Sequence, residues 1–173
     1  MQPIVKTSSS LPTVLHSHRW LLPNEQATEA WAQALVQSPQ VKQVTMALQG
    51  TLGAGKTTLT RYLLRALGVT GRIKSPSYAI VEPYTLACAS AAWHFDFYRF
   101  SDPREWEDAG FRDVFASPGL KIVEWWQNAQ GLIPTPDWVI NLSIVDESTR
   151  ELEVLACSPT GLALLQEFEA VYP

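Results

Sequence analysis

Residues 50–57 read Gly-Thr-Leu-Gly-Ala-Gly-Lys-Thr. They fit the pattern G-x-x-x-x-G-K-[ST], which demands a strand before it, a helix after it and an anion between them. Gly50 and Gly55 let the backbone turn tightly and approach a phosphate without an intruding Cβ. The N–H groups of Gly53, Ala54, Gly55, Lys56, Thr57 and Thr58 are the expected cradle, backed by the positive end of the helix. Lys56 supplies a mobile charge for the outer phosphates, and the Thr57 hydroxyl is suited to Mg²⁺. Both flanks agree. Val44 to Leu48 is a short apolar run, as a buried parallel strand should be. Residues 56–67 place Leu59, Leu63, Leu64 and Leu67 on one helical face, with Gly68 at C′.

The remaining chain alternates strands and helices. Residues 1–13 read as a loose lead-in, and 14–22 as an edge strand. Asn24 caps a helix whose apolar face is Ala27, Trp31, Ala34 and Leu35, closed by Pro39. Residues 74–78 form a proline-punctuated turn, and 79–84 are extended. Trp93, Phe95 and Phe97 alternate with His94, Asp96 and Tyr98 at strand period. Asp102, Pro103 and Glu105 open a short helix that Gly110 ends. Leu120 to Val123 is a buried strand ending at Glu124. Residues 138–145 and 151–157, joined by the polar turn 146–149, are expected to pair as an antiparallel hairpin. Thr160 is the expected cap of a last helix with Leu162, Leu165 and Phe168 inward.

At 173 residues the chain suits one domain spanning its length. A net charge of −4 speaks against gripping nucleic acid by bulk electrostatics. The only cysteines, Cys88 and Cys157, lie far apart, so a disulfide framework is not expected. With no long apolar run and no signal-like N-terminus, the expected location is the cytoplasm, without a membrane contact.

Nucleotide hydrolysis needs carboxylates beside the phosphate loop, to serve the metal and the attacking water. Asp96 and Glu124 sit where strands end. Spacing does not decide which acid takes which task. Lys56, Asp96 and Glu124 are therefore the expected catalytic set, and Thr57, Asp96 and Glu124 the expected metal set. Arg99 is within reach of phosphate oxygens or is a surface cation. His94 reads as a packed or hydrogen-bonded histidine. One of Trp125 and Trp126 should fill the core. Neither Asn-Lys-x-Asp nor Asp-x-x-Gly occurs in the chain, which favours ATP over GTP.

Several stretches together resemble the TsaE family of small bacterial ATPases. They are Pro23 to Thr28, Leu52 to Thr58, Lys74-Ser75-Pro76-Ser77-Tyr78, Val81 to Tyr84, His94-Phe95-Asp96-Phe97-Tyr98-Arg99, Asp102-Pro103, Gly110 to Asp113 and Val123-Glu124-Trp125. The resemblance implies an α/β phosphate-loop fold: a three-layer sandwich around a mixed, mostly parallel sheet. It implies ATP/ADP and Mg²⁺ as cofactors, a nucleotide-sensitive switch at Ser75 to Tyr78, and Trp125 beside the site. It further implies slow intrinsic hydrolysis and action with TsaB-like and TsaD-like proteins in making threonylcarbamoyladenosine in tRNA, the tRNA being reached through that complex. Thr51 stands where the family usually has Asp. A small-molecule kinase shares such a loop, but its loop usually lies near the N-terminus and it carries an arginine-rich lid. A module that binds nucleotide without hydrolysing it is the other rival, against which the paired acids speak.

Overall fold

The computed structural model describes residues 12–76 and 78–173. Most of the expected lead-in, residues 1–11, and Ser77 of the expected switch lie outside the described residues. The strands are β1 (His16–Leu22), β2 (Thr45–Gln49), β3 (Val81–Thr85), β4 (Ala91–Asp96), β5 (Leu120–Glu124), β6 (Trp138–Ile144) and β7 (Arg150–Ala156). They form one sheet in the order β1-β7-β6-β2-β5-β4-β3. The central strands β6, β2, β5 and β4 run parallel. Antiparallel pairs flank them: β3 on β4 at one side, β7 on β6 and β1 on β7 at the other. The mixed sheet is as the resemblance implies, and the terminal hairpin as the pattern predicts. Pro83 is tolerated because β3 is an edge strand.

Helices α1 (Glu25–Leu35), α2 (Lys56–Ala66) and α5 (Pro159–Val171) belong to one apolar core. The short helices α3 (Pro103–Asp108) and α4 (Phe111–Ala116) belong to a second core, with a 3₁₀ turn at Trp126–Ala129. Strand alternation divides the side chains between them. Met46, Leu48, Ala92 and Ile122 enter the first core, and Ala47, Phe95 and Val123 the second. Asp96 and Glu124 share the parity of Ala92 and Ile122, so both carboxylates face the α2 side. The β-sheet thus places the acids and the phosphate-loop helix together.

The local signals hold with some shifts. Asn24 caps α1 by accepting from the Ala27 N–H at 2.9 Å. The buried face of α1 is Thr28, Trp31, Ala32 and Leu35; the expected Ala27 and Ala34 are only partly buried. The set observed is the i, i+3, i+4, i+7 stripe centred on Trp31. α2 ends in a Schellman motif, with Gly68 at φ +90°, Gly68 N–H donating to Arg65 O and Val69 N–H to Leu64 O. At α5 the cap is Ser158, not Thr160. Its hydroxyl accepts from the Gly161 N–H at 2.9 Å, and Pro159 occupies the first helical turn. Leu164, Leu165 and Phe168 are buried there, while the expected Leu162 lies at the margin. α4 has no counterpart among the elements expected from the sequence, because six residues are too few to show a period. Among the described residues no helix is long and apolar enough to cross a membrane, and both cysteines are free.

Candidate functional site

The loop between β2 and α2 is shaped by two different glycine requirements. A Cβ on Gly50 would lie 2.6 Å from Leu142 O of β6, so the missing side chain there lets the loop press against the neighbouring strand. The expected close approach to phosphate is thus, at Gly50, an approach to β6. Gly55 has open space around it but sits at φ +108°, which L side chains rarely adopt. As the N-cap of α2 it offers no side chain to the helix. The first-turn amides are therefore free of a side-chain cap and available to an anion.

Lys56 opens α2 and is 6% exposed. Its Nζ donates to Gly50 O at 2.7 Å and Thr51 O at 3.0 Å, curling over the loop. It stands 4.7 Å from the centroid of the Trp125 ring. Burial pushes its pKa below the ordinary lysine value, opposed by the charges of Glu124 and Asp96.

The two acids are stitched together at neighbouring strand ends. Asp96 lies opposite Glu124 in the parallel register, and Phe97 N–H donates to Glu124 O at 3.0 Å. Asp96 and Glu124 are 6% and 3% exposed, so their carboxylates depend on protein donors. Thr57 Oγ1 donates to Glu124 Oε1 at 3.0 Å, with Oε2 at 3.3 Å. His94 Nε2 lies 2.9 Å from the same Oε1. Asp96 instead accepts from the Ser75 hydroxyl through Oδ2 and from the Tyr98 N–H at 2.9 Å through Oδ1. The expected switch segment is thus tied to one acid and the phosphate-loop threonine to the other. Asp96 N–H also donates to Ile80 O, whose residue sits at φ +66°.

Trp125 follows β5 in the left-handed region, φ +55°. That costs a non-glycine residue about 1–2 kcal/mol. It turns the chain so that the Trp125 ring covers Lys56 and meets Tyr98 at 5.0 Å, while Trp126 enters the second core. Arg99 stacks over the ring of Tyr78, its Cζ at 4.7 Å.

A cavity of about 430 Å³ is lined by Gly53, Gly55, Lys56, Thr57, Thr58, Ser75, Asp96, Tyr98, Arg99, Glu124 and others. On the other side of the loop a cavity of about 290 Å³ is lined by Asn24, Glu25, Thr28, Ala54, Thr58, Leu142, Glu147, Ser148 and Arg150, among others. Sequence reasoning missed this second wall. Arg150 Nε donates to Ala54 O at 3.1 Å, and Nη1 to Asp146 O, Glu147 O and Thr149 O. It braces the loop from a strand ninety-six positions away, and no local pattern announces that.

Mg²⁺ takes oxygen ligands and commonly pairs one or two carboxylates with substrate phosphates. Thr57, Glu124 and Asp96 present only oxygen, which fits that ion. Among the described residues no group of three or more His, Cys, Asp or Glu side chains could hold a metal.

The family model described as "Threonylcarbamoyl adenosine biosynthesis protein TsaE" matches residues 22–152. The chain is 38% identical over 138 residues to the tRNA threonylcarbamoyladenosine biosynthesis protein TsaE of Haemophilus influenzae, covering 80% of this chain and 86% of that one. It is 30% identical over 138 residues to the protein of that name in Bacillus subtilis, covering 80% and 85%. The crystal structure of B. subtilis YdiB superposes with a TM-score of 0.73 at 24% identity, covering 91% of this chain and 97% of that one, and shares the fold. The chain belongs to the TsaE family.

Proposed function

We propose that the protein binds and slowly hydrolyses Mg²⁺–ATP, and that this cycle drives a switch in the assembly that makes threonylcarbamoyladenosine in tRNA. Its partners there would be TsaB-like and TsaD-like proteins. Family membership supports the pathway. The observation that carries the chemistry is the facing of Thr57 and Glu124 at 3.0 Å beside uncapped helix amides.

The triphosphate would lie over the amides of Gly53 to Thr58, with Lys56 leaving the loop carbonyls to meet the outer phosphates. The nucleoside would extend into the cavity bounded by Asn24, Thr28 and Arg150, since the acids occupy the other side of the loop. Mg²⁺, when bound, would neutralise charge on the phosphate oxygens. Thr57 and Glu124, whose oxygens face each other at 3.0 Å, would hold it. Asp96 holds Ser75 and not Thr57, which suits it to orient the attacking water and take its proton once Ser75 withdraws. The switch segment would thereby report whether the outer phosphate is present. The cytoplasm, where tRNA and ATP meet, is the compartment this role requires.

The test is ATP binding and turnover with and without TsaB-like and TsaD-like partners. Lys56→Ala should lose nucleotide affinity by tenfold or more, about the worth of one charged hydrogen bond. Asp96→Ala and Glu124→Ala should bind ATP yet turn it over about a hundredfold more slowly. Wild-type rates in both acid variants would overturn the assignment.

A further inference from the structure

His94 occupies a position that an apolar residue would fill more cheaply. It lies in the middle of β4, fully buried, on the face it shares with Ala92 and opposite Ile122 of β5. Burying an imidazole in such company costs free energy unless its nitrogens are paired. One is paired: Nε2 lies 2.9 Å from Glu124 Oε1. The other, Nδ1, is buried with no partner among the described residues. The ring therefore makes one polar contact, and that contact is with the acid that faces Thr57.

The geometry points to His94 as the positioning residue for Glu124, fixing its carboxylate so that it can hold a divalent cation beside a bound nucleotide. This rests on the Mg²⁺–nucleotide reading above. Glu124 ends its strand with a side chain of three rotatable torsions. Among the described residues two neighbours grip the carboxylate, Thr57 and His94. Thr57 can offer a hydroxyl lone pair to a cation while its O–H still donates to Glu124, so the placing of that hydroxyl is shared between the two. His94 is the side-chain donor whose hold on Glu124 involves no cation ligand. It reaches Glu124 diagonally across the parallel pair, Asp96 standing directly opposite. With Nε2–H donating to Oε1, the second oxygen meets Thr57 Oγ1 at 3.3 Å, on the side where the threonine hydroxyl and a cation would share it. Partners that orient a metal-binding carboxylate in this way are worth about ten- to a hundredfold in metal affinity.

The experiment measures ADP affinity of the full chain by calorimetry, in excess Mg²⁺ and in excess EDTA. The readout is the ratio of the two dissociation constants. His94→Phe keeps the volume and removes the donor; it should cut the Mg²⁺ enhancement about tenfold while leaving affinity in EDTA unchanged. His94→Gln, whose amide reaches the Nε2 position, should recover most of the enhancement. Glu124→Gln should abolish it, and adding His94→Phe to that variant should change nothing further. An undiminished enhancement in His94→Phe overturns the proposal. So does an equal loss in Mg²⁺ and EDTA, which marks a structural role, or additivity with Glu124→Gln. Should His94→Phe not fold, His94→Gln against His94→Asn makes the same comparison. Asn reaches only the Nδ1 position, so equal enhancements in the two variants overturn it. A wild-type protein that binds ADP with no Mg²⁺ enhancement also overturns it while nucleotide binding stands; no ADP binding at all brings down the parent reading.

Discussion

Residue chemistry depends on which atoms the fold brings near a side chain, and the two cysteines make this measurable. Cys88 is exposed in the β3–β4 turn, and its Sγ lies 2.7 Å from Ser90 Oγ. Donation from the Ser90 hydroxyl and backbone N–H pulls the thiol down to about 7, with Lys42 assisting. Cys157 is shifted the other way, by burial first. At pH 7 iodoacetamide should label Cys88 well ahead of Cys157, and the Cys88 rate should fall as pH drops below about 7. Ser90→Ala should shift that profile upward. Peptide mass spectrometry reads both, and equal labelling of the two thiols would contradict the assignment. At the same scale, Lys56, Thr57, Asp96 and Glu124 are legible in the sequence, because loop spacing and strand ends mark them. The division of labour proposed for them is not. It is argued from contacts between distant segments: Thr57 bonds Glu124 while Ser75 bonds Asp96.

At the scale of elements, helix ends separate what a local pattern says from what packing selects. Ser158 and Thr160 are both acceptable caps by composition. Ser158 wins because its hydroxyl also donates to Asp137 Oδ1 at 2.5 Å, and Asp137 Oδ2 accepts the Thr45 N–H at the start of β2. Gly161 completes the junction. A Cβ there would lie 2.1 Å from Asp137 O, so the first turn of α5 can sit directly on the approach to β6. Ser158→Ala should therefore cost about 1–2 kcal/mol, and Thr160→Ala no more than about 0.5. Urea unfolding midpoints at constant slope would show this; the reverse order would restore the sequence-based cap. The start of α2 works by the opposite device. Gly55 supplies no capping side chain, leaving its amides open where α1 and α5 have theirs satisfied by Asn24 and Ser158.

For the whole molecule, the proposed binding site is a seam between distant segments. Residues from 24–28, 52–58, 96–99, 124–125 and 142–150, together with Ser75, line the cavities beside one loop. Ligand binding there should stabilise the entire fold. At ADP concentrations about a hundredfold above the dissociation constant, with Mg²⁺ present, linkage contributes about 2.7 kcal/mol. For a chain of this size that raises the melting temperature by roughly 5–10 °C. Thermal unfolding with and without Mg²⁺–ADP checks it, and Lys56→Ala should lose most of the shift. A full shift in that variant would place the ligand elsewhere. What the sequence alone determined is the part encoded within short consecutive stretches: the phosphate loop with its strand and helix, the apolar alternations, the terminal hairpin and the acids at strand ends. These follow from backbone periodicity and from the steric and charge needs of an anion site, which are local. Only the tertiary structure decided that His94 meets Glu124, that Arg150 braces Ala54, and that Gly50 yields to Leu142. Each joins atoms from segments far apart in the chain, and the order and register of a sheet arise from burying two cores at once, which no single segment carries.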